Sequence, residues 1–295
     1  MRLWPNDFDA EARGFDLVNV AFLVRCAHCA YFDDPIPELE RLTGLREVRA
    51  FRSWTSDAEG FAARAPRFLV LAFRGSESAA DWRVNLDARM IRVPWAPGRV
   101  HRGFAGALDD VWPRVARRLR ALRDPPDEDS PPRPLWLTGH SLGGALASLA
   151  AARLEHEGTP AAGLATFGQP RVGDWDFVQG LRTPWLRVVH GVDAAAGLPV
   201  GTRPFPYVHG GDFVWLHASD GLDRQAEAWA RCLDRLRAVA VEGLSEVGDH
   251  AIERYCDRLD GLLDVRELVQ RHRIERGQFL DLPEDDPPAS VLPAA

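Results

Sequence analysis

The chain contains no lysine, so all 36 residues counted as Lys+Arg are arginine. Schiff-base chemistry, a Walker-type phosphate loop and a serine–lysine dyad each need a lysine amine, and all three are excluded. Cysteine is scarce, with 4 in 295 residues. Cys26 and Cys29 form one C-x-x-C, but Cys232 and Cys256 supply no second one, so neither a zinc site nor a disulfide framework is expected. Phe15, Val18, Phe22, Cys26 and Cys29 fall at helical spacing, which reads the pair as part of a packed apolar stripe. No stretch approaches 18 uninterrupted apolar residues, and Met1 to Glu11 lacks the basic and apolar make-up of a secretory signal. These two absences predict a cytoplasmic protein, with signal-independent secretion also compatible. Basic charge is in deficit too: the net charge is -7 and the pI is near 5.7. That balance argues against a nucleic-acid partner.

What is present suits an α/β fold. A chain of 295 residues with 46% hydrophobic content can bury a full core. Apolar runs at Arg67 to Phe73, Leu135 to Leu137, Leu164 to Phe167 and Leu186 to His190 read as strands ending at turns. Helical patterns cover residues 15 to 31, 105 to 122, 142 to 154, 227 to 240 and 249 to 263. Their alternation predicts a mostly parallel central sheet with helices on both faces. One domain over 1–282 is expected, with a helical segment at about 218–265 and a proline- and acid-rich tail, 283–295, too polar to pack.

The richest ten residues are Leu135 to Gly144, in which an apolar strand meets Gly139-His140-Ser141-Leu142-Gly143 and then an Ala-rich helix. A Gly-x-Ser-x-Gly turn between strand and helix is the nucleophile elbow pattern: residues without side chains let the elements approach while the serine hydroxyl stands exposed. Ser141 is therefore the candidate nucleophile. A serine hydroxyl needs a histidine to take its proton and a carboxylate to orient that histidine. Asp193, just past the strand Leu186 to His190, would reach the sheet edge that carries Ser141, with Asp174 and Asp212 as competitors. The serine–acid–histidine chain order of such hydrolases leaves His209, His217, His250 and His272. Of these, His250 lies in a loop entering a helix, where an imidazole can be presented to a sheet edge.

The motifs together resemble, in order, those of the class 3 lipases, the fungal-type triacylglycerol lipase family of the α/β-hydrolase fold. Phe73-Arg74-Gly75-Ser76 is similar to the family's oxyanion strand and turn, and Asp81-Trp82 with Asn85-Leu86 to its lid. Val100 to Phe104 resembles the V-H-x-G-F element, and Thr166 to Gly173 the F-G-x-P-R-V-G turn. Asp193 with Leu198-Pro199 resembles the acid segment, and Asp249-His250 the terminal histidine segment. The resemblance covers about residues 15 to 260. It implies Ser141 as nucleophile, Asp193 as orienting acid and His250 as base, with the backbone N–H groups of Ser76 and Leu142 as the oxyanion hole. It also implies a lid whose apolar face carries Trp82, Val84 and Leu86. The expected activity is cofactor-free, metal-free hydrolysis of lipid acyl esters, acylglycerols first, with transient contact at a lipid interface. A phospholipase A-type acyl hydrolase is the near alternative, and a non-catalytic lipase-like scaffold is the alternative of another class. His101 and His140 are expected to be scaffold.

Overall fold

Four parallel strand pairings form the middle of one eight-stranded sheet. The strands are β1 (Glu47–Arg52), β2 (Glu59–Arg64), β3 (Leu69–Phe73), β6 (Leu135–His140), β7 (Gly163–Phe167), β8 (Trp185–His190), β9 (Asp212–Leu216) and β10 (Leu222–Asp223), in the order β1-β2-β3-β6-β7-β8-β9-β10. β3 through β9 pair in parallel, whereas β1 and β2 on one margin and β10 on the other are antiparallel. A separate two-stranded sheet joins β4 (Met90–Ile91) to β5 (Val100–His101). The computed structural model describes residues 3, 5–14, 16–45, 47–76, 89–123, 132–191, 193, 195–199, 206–217, 221–224 and 250–275, with side chains described to residue 264 in the last helix. The lid residues Trp82, Val84 and Leu86, the expected helix at 227–240 and the tail at 283–295 lie outside the described residues.

Every residue of β3, β6, β7 and β8 is buried, as suits strands covered on both faces, which read as mostly apolar runs. Side chains alternate between the faces. Val70 and Ala72 of β3 join Trp136, Ala165 and Val188 beneath α1 (Leu17–Cys29) and α6 (Ile252–Glu275). Leu69, Leu71 and Phe73 join Leu137 and Leu164 beneath α3 (Arg102–Arg123) and α4 (Leu142–His156). The short helices α2 (Pro35–Thr43) and α5 (Trp175–Gly180) complete the described set. Cys26 and Cys29 both lie in the first of these cores, and burial pushes the Cys29 thiol up to about 12.

Several boundaries differ from the sequence expectation for identifiable reasons. β6 runs on through Gly139 and His140 because both have strand partners, Phe73 and Thr166 for the glycine and Phe167 for the histidine. The last helix begins at Ile252, leaving His250 just ahead of it, and continues to Glu275. The β1–β2 hairpin carries no strong apolar run: β1 is exposed at Glu47, Arg49, Ala50 and Arg52, which suits an edge strand. Arg118 of α3 donates from Nε to the Ala50 carbonyl of that edge at 3.2 Å.

Candidate active site

Ser141 is the one non-glycine residue with positive φ among the described residues, at φ 56° and ψ -126°. Such a conformation costs about 1–3 kcal/mol and persists only where its surroundings enforce it. The surroundings here are backbone. A Cβ on Gly139 would stand 2.3 Å from the Gly143 carbonyl carbon, and one on Gly143 would stand 2.2 Å from the Phe73 oxygen. The two motif glycines thus let β6, α4 and the end of β3 close on each other around the serine. The Ser141 N–H donates to Phe167 O at 2.9 Å, fixing the elbow against β7.

His250 Nε2 lies 2.8 Å from Ser141 Oγ, and its Nδ1 lies 2.9 and 2.8 Å from the two Asp193 carboxylate oxygens. A carboxylate only accepts, so Nδ1 carries the proton and Nε2 accepts from the serine hydroxyl. The Asp193 side chain is fully buried and also accepts from Tyr255 Oη at 2.6 Å and the Ala195 N–H at 2.9 Å. Those partners compensate for burying a charge. Gly168, at φ 54°, opens the space the group occupies: a Cβ there would meet Asp193 Oδ2 at 2.5 Å and His250 Nδ1 at 3.1 Å. Topology delivers the three residues to one edge, with Ser141 following β6, Asp193 following β8 and His250 preceding α6. The competing residues are placed otherwise. Asp174 caps α5, accepting from Phe177 N at 3.1 Å and Arg99 N at 3.0 Å. Asp212 opens β9 in an exposed position, His217 stacks on Trp215 with ring centroids 4.4 Å apart, His209 falls in the glycine-rich approach to β9, and His272 lies on α6.

Ser76 follows the end of β3, and Leu142 is the first residue of α4. Their elements touch, since a Cβ on Gly143 would also meet the Arg74 oxygen at 2.8 Å. The first N–H groups of a helix have no intrahelical acceptor and sit at the positive end of its dipole, so Leu142 N–H is an anion donor by position. Arg74 is itself buried and paired with Glu59 at 2.6 Å. Among the described residues no cluster of His, Cys, Asp and Glu is arranged to hold a metal ion.

Three residues around this group escaped the sequence reading as site members: His140 and Tyr255, which bond to it, and Tyr31, which bonds to His140. His140 Nε2 lies 2.7 Å from the His250 carbonyl, and its Nδ1 lies 2.7 Å from Tyr31 Oη. Burial first, and the neighbouring His250 second, hold its pKa well below 6.5. The only advance signal was that His140 lies beside Ser141 in the elbow, while Tyr31 and Tyr255 carried none. His101 stacks on Phe104 at 3.8 Å and accepts from its N–H, a packing position.

The sheet order, the elbow and the Ser141–His250–Asp193 group define an α/β-hydrolase fold with a serine-hydrolase type of site. Residues 70–202 match the family model for lipase (class 3). A lipase from Rhizomucor miehei is 29% identical over 201 residues, 65% of this chain and 51% of that protein. The secreted mono- and diacylglycerol lipase 1 of Fusarium solani is 35% identical over 157 residues, 52% of this chain and 45% of that protein. A rice phospholipase A1-II 4 is 29% identical over 281 residues, 70% of this chain and 69% of that protein. The solved structure of Rhizomucor miehei triacylglyceride lipase superposes with TM-score 0.58 at 26% identity, over 67% of this chain and 78% of that one. Over residues 70–202 the chain is similar to the class 3 lipases. It spans about half the length of the first two of these relatives.

Proposed function

We propose that the chain is a serine carboxylic-ester hydrolase acting on lipid acyl esters, acylglycerols first, through an acyl-serine intermediate. The observation that carries the reading is the continuous path from Ser141 Oγ through His250 to the Asp193 carboxylate, with steps of 2.8 Å at each end. In this reading His250 Nε2 takes the Ser141 proton as the oxygen attacks the ester carbonyl. The Asp193 carboxylate balances the imidazolium, and the N–H groups of Ser76 and Leu142 receive the oxyanion. His250 returns its proton to the departing alcohol, and water, activated by the same imidazole, releases the fatty acid. The relatives named for mono- and diacylglycerol and for phospholipase A1 activity support acylglycerols and phospholipid acyl esters as substrate classes, in that order of similarity.

Contact with a lipid surface belongs to the same proposal. The Ser53 to Ala58 turn joins the end of β1 to the start of β2, and Gly60 of β2 lies opposite Phe73 at the end of β3. That turn therefore shares the sheet edge of Ser141, and it presents Trp54 at 84% exposure. Phe32, 39% exposed, follows Tyr31, whose hydroxyl reaches His140 at that same edge. Exposed aromatic rings beside a site are suited to the headgroup region of a lipid layer.

The test is hydrolysis of nitrophenyl esters from about C2 to C16 by the wild type and Ser141→Ala. Turnover abolished in a folded Ser141→Ala protein, with a preference for long chains, supports the lipid ester hydrolase. Equal turnover by both proteins, or none by folded wild type even with detergent, overturns it.

A further inference from the structure

His140 lies one residue before the nucleophile, and its ring bonds to the His250 carbonyl and to Tyr31 without bonding to the reacting atoms. A carbonyl oxygen accepts only, so the 2.7 Å contact with the His250 carbonyl requires the proton on Nε2 of His140. Nδ1 is then an acceptor, and the 2.7 Å contact with Tyr31 requires the phenol to donate. The Tyr31 oxygen in turn packs directly against Gly75, the residue before Ser76, where a Cβ would stand 2.1 Å from it. Every donor and acceptor along this line has one consistent direction.

We propose that Tyr31 and His140 are positioning residues that set the relative placement of the oxyanion turn, the nucleophile elbow and the base loop through the packing of Tyr31 Oη on Gly75 and one hydrogen-bond chain, Tyr31 Oη–H to His140 to the His250 carbonyl. The inference rests on the hydrolase reading for its consequence and on geometry alone for its existence. Space is cleared for the chain: a Cβ on Gly75 would lie 2.1 Å from Tyr31 Oη and 2.7 Å from the His140 oxygen. His140 is 4% exposed, so water is a poor substitute for either partner. Its ring packs 4.6 Å from that of His250, 5.8 Å from Tyr31 and 5.7 Å from Tyr255. Of the titratable neighbours, His250 and then His28 further disfavour a proton on His140. A neutral His140 keeps the donor and acceptor roles fixed, which a doubly protonated ring would not. The His250 carbonyl would otherwise be left to set the base's position from α6 alone, and a displacement of about 1 Å in a catalytic group lowers rate by about a hundredfold.

The experiment compares wild type with Tyr31→Phe, His140→Leu, His140→Gln and the double variant Tyr31→Phe/His140→Leu. Expected are a fall in kcat of about tenfold for Tyr31→Phe and about a hundredfold for His140→Leu with KM unchanged. His140→Gln, whose amide can still donate to the His250 carbonyl, should recover most of the loss. The double variant should be no slower than His140→Leu, since both changes break one chain. Tyr31→Phe, isosteric but for a hydroxyl, keeps the test open should the leucine variant not fold. An effect on KM and thermal stability with kcat within twofold of wild type overturns the proposal. Amide exchange at His250 to Tyr255 and the downfield proton resonance of His250 Nδ1–H report the chain independently of turnover. Faster exchange and a broadened resonance in Tyr31→Phe support it, and unchanged signals overturn it. Should wild type hydrolyse no ester, the function fails while these two signals still decide the positioning chain.

Discussion

Asp193 accepts hydrogen bonds from His250, Tyr255 and the backbone within one buried site, so its charge and its shape are both in use. Asp193→Asn keeps the volume but presents an amide that can stabilise the wrong imidazole tautomer, and kcat should fall about ten-thousandfold. Nitrophenyl ester kinetics on the variant check this, and a loss of tenfold or less would move the acid role elsewhere. Gly168 gives a second prediction, because positive φ and the 2.5 Å approach of Asp193 Oδ2 leave no room for a methyl group. Gly168→Ala should destabilise the fold by about 1–2 kcal/mol. It should also lower kcat by at least about a hundredfold by displacing the carboxylate, as read by thermal melts and kinetics together. Wild-type kcat in that variant would mean that the Asp193–His250 contact tolerates more freedom than the geometry allows.

Between α1, β6 and α6 the protein holds two histidines whose protonated forms are disfavoured, His140 and His28, each chiefly through burial. The unfolded chain binds protons at these groups near pH 6.5 while the folded chain does not, so the unfolded state holds more protons below that pH. Stability from this source is fully present above about pH 6.5 and falls as pH drops through it, by up to about 1.4 kcal/mol per pH unit for each group. The melting temperature should therefore drop between pH 7 and pH 5, and His140→Gln should flatten the slope. A slope unchanged by the substitution would place the titrating group elsewhere. These elements also show what sequence could reveal. The strand–elbow–helix unit at β6 and α4 was legible because apolar run, glycines and helix are contiguous, and β7 and β8 because central strands are mostly apolar. The β1–β2 hairpin was not, since an edge strand such as Glu47–Arg52 alternates charge with only two buried residues. Ser141, Asp193 and His250 were nameable from motif order, and the structure brings Ser141 and Asp193 each within hydrogen-bond reach of His250. Tyr31 and Tyr255 were invisible because each acts through a tertiary contact that no local pattern encodes.

At the scale of the whole molecule, the exposed large apolar residues among those described are Phe32, Ile36, Trp54 and Trp175, and Trp54 and Phe32 lie toward the edge that carries Ser141. Trp54→Ala should weaken sedimentation with phosphatidylcholine vesicles by several-fold and reduce turnover of emulsified ester. Hydrolysis of a soluble short ester should be unchanged, because the ring lies outside the catalytic group. Equal vesicle binding by both proteins would assign the contact to another face. The opposite issue arises at β1, whose outer side faces no further strand among the described residues. A bare strand margin is a template on which a second polypeptide can add by backbone pairing, the route by which sheets grow into insoluble fibrils. The Arg118 guanidinium occupying the Ala50 carbonyl, with Arg49 and Arg52 exposed along the same strand, acts as a terminator for that growth. In a chain without lysine, the residue type that most often guards such margins, arginine has taken over colloidal protection.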